Sequence, residues 1–141
     1  MSNVAMLLPC AALVLLTVSV ALVMYSRRVA ELRSRRIAPQ KVADSRSSSE
    51  IFQDLRAADN YRNLFELPLL FYVLCLAVAS SGSTDTFYVA GAWLFVALRI
   101  LHSGIHITYN RVMHRLRAFS AGMLVLSVLW GFFAFELISR D

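Results

Sequence analysis

The run from Val4 to Tyr25 is built almost wholly of alanine, valine, leucine and methionine. As an α-helix rising 1.5 Å per residue it would be about 33 Å long, enough to cross a hydrocarbon core of about 30 Å. A small soluble domain has too little core to cover such a rod on every side, whereas a bilayer does so without cost. Thr17 and Ser19 are polar residues inside it, and such hydroxyls bond back to the helix backbone. No basic segment precedes the run, and it exceeds the length of a signal-peptide core. It therefore reads as a retained span whose task is packing.

Three more apolar runs follow, at about 60–79, 87–107 and 118–138. They explain why 58% of the residues are hydrophobic and only 16% charged, with a mean hydropathy of +0.60. At this length one domain over residues 1–141 is expected. The fold class is all-α, an integral membrane four-helix bundle of up-down topology with short connections. No internal repeat is evident. The net charge of +5 does not mark a nucleic-acid partner, because the basic residues lie in the connections between apolar runs. Arg27, Arg28, Arg33, Arg35, Arg36, Lys41 and Arg46 follow the first run, and Arg111, Arg115 and Arg117 follow the third. The turn at Ser80–Thr86 has no basic residue. Basic loops stay in the cytoplasm, which places both termini outside, and the arginine cluster suits anionic membrane lipids.

The second run is entered through Leu55–Pro68, where a polar stripe passes from a wet surface into hydrocarbon. At about 100° per residue, Arg56, Asp59, Asn63 and Glu66 share one helix face. Upstream, Ile37-Ala38-Pro39-Gln40 breaks the helix, and Ser47 with Glu50 has capping-box spacing. Pro68 deprives the Leu64 carbonyl of its helical donor, so a kink is expected near Glu66. The third run carries a matching stripe, Arg99, His102, His106 and Tyr109.

A carboxylate within a span is costly and needs a partner. Glu66 and Arg99 lie at similar depths on antiparallel spans, so an ion pair between them is expected. The two stripes would line a polar cleft open to the cytoplasm and crowned by Arg111, Arg115 and Arg117. His102-x-x-x-His106 lacks an acidic companion on its helix, which argues for cleft lining and against a metal site. Cys10 and Cys75 read as small buried hydrophobes, and Trp93, Trp130, Tyr25 and Tyr88 as interface anchors or packing residues. Phosphate-binding glycine loops and nucleophile elbows are absent.

Four spans, Arg56 with Asn63-x-x-Glu66 and a following proline, and Arg99-x-x-His102 leading to Arg115 resemble the MAPEG family. These are membrane-associated proteins of eicosanoid and glutathione metabolism, and the resemblance is to a bacterial-type member in an inner membrane. It implies a homotrimer with glutathione held as co-substrate between neighbouring subunits on the cytoplasmic side. It also implies a transferase or peroxidase acting on a lipophilic small-molecule substrate. By the same resemblance Asn63 and Glu66 hold the glutathione backbone, and Arg56, Arg99, His102 and His106 line the site. Arg115 would stabilise the sulfur as a thiolate. Two positions depart from the family pattern: Asp59 stands at an arginine position and His106 at a tyrosine position. The alternative is a non-catalytic membrane protein that binds a lipid or small anion. A four-helix proton-coupled exporter fits poorly, since the first span has no acidic residue.

Overall fold

A computed structural model describes residues 4–140, with the Arg140 side chain and residues 1–3 and 141 outside the description. Its elements are α1 (Val4–Ser34), a short 3-10 turn (Pro39–Val42), α2 (Ser45–Ile51), α3 (Arg56–Asn63), α4 (Leu67–Ser81), α5 (Thr86–Ile107) and α6 (Val112–Arg140). Four segments are long and apolar enough to cross a membrane: Val4–Ser34, Arg56–Ser81, Thr86–Ile107 and Val112–Ser139. The described residues form an all-α bundle in which α1 packs on α3, α4 and α5, and α6 packs along α5.

Two helices outrun the apolar segments that announced them. α1 continues nine residues past Tyr25 to Ser34, because Arg27, Arg28 and Arg33 keep helical geometry while leaving the hydrocarbon. It ends through Arg36, which takes a left-handed φ of 51°, and the Ile37 N–H returns to the Leu32 carbonyl at 2.9 Å. α6 likewise begins at Val112, before the apolar run at 118. The first connection is long, not short. It folds back on α1: Glu31 Oε1 accepts from Arg35 and from the Gln53 N–H, and Arg28 lies over the Phe52 ring. The cap of α2 is Asp44, whose carboxylate accepts the Ser47 N–H at 2.8 Å. Ser47 is thus inside the helix, and the expected Ser47–Glu50 box does not form. The N–H of Ser47 also holds the Asp44 carboxyl below the usual carboxylate range.

The bundle divides along its length. The half toward the Ser80–Thr86 turn is apolar: Phe71 stacks on Phe95 at 4.5 Å, surrounded by Met6, Leu13, Leu74, Val78 and Ala92. Since lipid tails are as apolar as leucine, close packing and not solvent exclusion holds this half together. Gly91 allows it, for a Cβ there would come within 2.6 Å of Leu129 on α6. α4 ends at Gly82 with a φ of 71°, and Asp85 caps α5 by accepting the Tyr88 N–H at 3.0 Å. The opposite half, where the basic connections gather, buries Asn60, Arg99, His102, Ser103 and His106 instead.

Candidate functional site

Pro68 does more than kink the second span. It occupies the first turn of α4, and between α3 and α4 the chain tightens into turn bonds three residues back at Phe65 and Glu66, with Glu66 at a non-helical ψ of −94°. Consecutive residues are thereby sent to opposite sides. Phe65 lines an apolar groove of about 460 Å³ with Val14, Val18, Leu69 and Tyr72, while Glu66 lines a polar cavity of about 340 Å³. Glu66 also sits at the N-terminus of α4, where the helix dipole favours its negative charge.

The break frees the Asn63 carbonyl, whose remaining backbone donor, the Glu66 N–H, is long at 3.4 Å. Arg99 fills the gap. Its Nη2 donates to the Asn63 carbonyl at 3.2 Å and to Asn63 Oδ1, and its guanidinium faces the Phe119 ring at 5.7 Å. Asn63 Nδ2 in turn donates to Glu66 Oε2 at 2.9 Å. The expected Glu66–Arg99 ion pair is therefore replaced by a relay through Asn63. Arg99 is completely buried, and its Nε and Nη1 have no hydrogen-bond partner. It lies behind the cavity wall and does not line it.

Arg56 also leaves the place its stripe suggested. Asp54, two residues before it, accepts from Arg56 Nε at 2.8 Å and Nη2 at 2.9 Å, and Arg56 Nη1 donates to the Thr108 carbonyl. Arg27 completes the clamp, bonding Asp54 Oδ2 and the Ile107 carbonyl at 3.1 Å each. Two guanidiniums held by one carboxylate thus satisfy the last carbonyls of α5. The Arg56 hydrogen bonds hold the Asp54 carboxyl down at about 2. The clamp fixes the end of the helix that carries His102 and His106.

Beyond it, Asn110 takes a left-handed φ of 48° and turns the chain into α6. Its Oδ1 accepts from Arg115 Nη1 at 2.8 Å, and the same Nη1 donates to His106 Nε2 at 2.9 Å. A guanidinium only donates, so His106 Nε2 accepts and its proton sits on Nδ1. The His102 Nδ1 faces the Arg115 carbonyl at 3.2 Å, so that nitrogen donates and Nε2 keeps its lone pair. Both rings are more than nine-tenths buried, and His106 Nδ1 and His102 Nε2 are left without partners. One histidine thus offers a free N–H and the other a free lone pair.

Of the sequence-predicted residues, Asn63, Glu66, His102, His106 and Arg115 line one cavity, together with Asp59. Arg56 and Arg99 support it from behind. Arg62, Val112, Leu116 and Phe119 complete the lining. Arg111 and Arg117 do not line it, and Tyr109 lies past the end of α5, with its hydroxyl against His114 at 3.2 Å. The cavity has room for a ligand of tripeptide size and pairs two carboxylates with two guanidiniums. No group of three or more side chains placed to hold a metal occurs among the described residues.

Compared with models of protein families, residues 6–135 match the MAPEG family. The chain belongs to the MAPEG family. It is thus a multi-pass membrane protein of a family of glutathione and eicosanoid metabolism. Neither the comparison with curated proteins nor that with solved structures returned a match.

Proposed function

We propose that this MAPEG member is a glutathione-dependent transferase or peroxidase acting on lipophilic electrophiles. The observation that carries the reading is the fixed Arg115 guanidinium, held by Asn110 and His106 at the wall of a cavity that His102, Asn63 and Glu66 also line. Two of the Arg115 N–H groups' worth of bonding is spent on that anchoring, and the other donors remain for a ligand. A nearby guanidinium lowers a thiol pKa from about 8.5 by stabilising the anion. His102 Nε2 is the lone pair able to take the thiol proton, and the His106 Nδ1–H is a second donor for the resulting sulfur anion. Asn63 and Glu66 offer an amide and a carboxylate to a peptide backbone.

Val112, Leu116 and Phe119 give the same cavity an apolar side against which an electrophile from the bilayer can lie. We place the basic connections in the cytoplasm of a bacterial inner membrane and both termini outside, on the strength of the arginine distribution. A homotrimer is part of the proposal, with neighbouring subunits closing the cavity mouth. Purified protein should unfold at a higher temperature in saturating glutathione. A ligand at 100 times its dissociation constant stabilises by about 2.7 kcal/mol. Absence of both thermal stabilisation and thiolate absorbance at neutral pH would overturn the reading and favour a lipid- or anion-binding protein.

A further inference from the structure

Four formally charged side chains line the polar cavity, and they are unequally provided for. Arg115 is anchored by Asn110 and His106, and Glu66 accepts from Asn63. Asp59 and Arg62, one helical turn apart on α3, have side chains that form no ion pair or hydrogen bond among the described residues. The cavity therefore presents the exposed Asp59 carboxylate, with no side chain bonded to it, at one place and donors at others. Buried beside them, His102 Nε2 and His106 Nδ1 lack hydrogen-bond partners as well. With two carboxylates against two guanidiniums, a ligand bearing only negative groups would meet Asp59 as a like charge. A ligand bearing a cation for Asp59 and a thiolate for Arg115 would meet both, leaving the exposed Arg62 to solvent.

We propose that Asp59 is a specificity residue that binds the ammonium group of an amino thiol, while Arg115 faces its sulfur. This rests on the thiol-binding reading above and narrows it. The ligand class is a thiol with a free primary amine, and its carboxylates contribute less to affinity than its amine does. Asp59 lies one turn before Asn63 and two before Glu66, so an ammonium there and a peptide amide at Asn63 share one side of the cavity.

The test uses the full chain in detergent, titrated calorimetrically with three probes: glutathione, N-acetylglutathione and glutathione diethyl ester. Acetylation removes the cation, and esterification removes the carboxylates but keeps the amine. The wild type should bind the acetylated probe about tenfold or more weakly than glutathione, the scale of a lost charge-assisted hydrogen bond. The ester should bind within a few-fold of glutathione. Asp59→Asn, isosteric and at an exposed position, should bring the acetylated and free-amine probes to nearly equal affinity. A wild type that prefers the acetylated probe, or loses binding on esterification alone, overturns the proposal. So does an Asp59→Asn protein that keeps the original ratio. Should that variant fail to fold, the wild-type comparison of the three probes still decides. If glutathione binds but amine and acetylated forms are equal, only the Asp59 proposal falls. If none of the three binds, the thiol reading falls and takes this one with it.

Discussion

Arg99 reaches Glu66 only through Asn63, whose side-chain oxygen accepts from the guanidinium and whose side-chain nitrogen donates to the carboxylate. The energetic weight therefore rests on Asn63 and not on Glu66. A buried cation that loses its side-chain acceptor and keeps only the residue-63 carbonyl costs about 1–3 kcal/mol, whereas an exposed carboxylate exchanged for an amide costs about 1 kcal/mol or less. Asn63→Leu should accordingly destabilise the fold more than Glu66→Gln. Arg99→Leu should recover part of the Asn63→Leu loss, because no lone charge then stays buried. Thermal unfolding of the three variants and the double mutant in one detergent checks this. Equal losses for Asn63→Leu and Glu66→Gln would mean a direct Glu66–Arg99 pair instead.

The Asp54 clamp makes a prediction in acid. Its carboxyl titrates at about 2 in the folded chain against an ordinary value of 3.8, so the folded state favours the ionised form. The stabilisation is complete above about pH 4 and fades as pH falls from there through about 2. Asp54→Asn should lower the unfolding temperature at pH 7, and the gap to wild type should narrow only below about pH 4. A gap that closes already between pH 7 and 5 would assign the effect to a histidine.

Much of this was readable in the chain, and the misses have physical causes. The four spans are visible because hydrocarbon tolerates few sequences. Their ends are not, because hydropathy reports where the bilayer stops, and α1 carries its helix on through Arg27, Arg28 and Arg33. Periodicity sets Glu66 and Arg99 facing one another, and the kink expected from Pro68 does not by itself say that the Asn63 carbonyl becomes an acceptor. The break at Leu64–Glu66 opened the Asn63 carbonyl, and Arg99 took that acceptor. Arg56 followed its stripe on paper, while Asp54, two residues away, competes for it at bonding distance. Asn110 gives no signal in hydropathy or charge, although an asparagine just after a helical run is the ordinary non-glycine choice for left-handed backbone.

Topology can be tested with residues the structure singles out. Lys41 and Ser80 are both exposed and lie at opposite ends of the bundle, whereas Ser83 is buried and would label poorly. In a variant without Cys10 and Cys75, cysteine at position 80 should react with an impermeant thiol reagent added outside intact cells. Cysteine at position 41 should react only after lysis. The reverse pattern would place the basic connections outside.

The last prediction concerns the group at the centre of the proposed chemistry. Arg115 is oriented by Asn110 Oδ1 and His106 Nε2, so its charge, its planarity and its anchors are separable. Arg115→Leu removes all three and should abolish glutathione conjugation of a chlorodinitrobenzene while the unfolding temperature stays close to that of wild type. Arg115→Lys keeps a cation that favours a thiolate but loses the planar fork, so it should retain a small fraction of the rate. Asn110→Gly preserves the left-handed turn and deletes only the Oδ1 anchor. Its rate should fall between those of wild type and Arg115→Lys, with the unfolding temperature nearly unchanged. The informative reading is the thiolate absorbance of bound glutathione as pH is varied. In wild type the thiolate should form well below the ordinary thiol pKa of about 8.5, and each substitution should move its midpoint upward in that order, Asn110→Gly least and Arg115→Leu most. A midpoint that stays put in Arg115→Leu while glutathione still binds would remove Arg115 from the chemistry and leave the ionisation to His102 and His106.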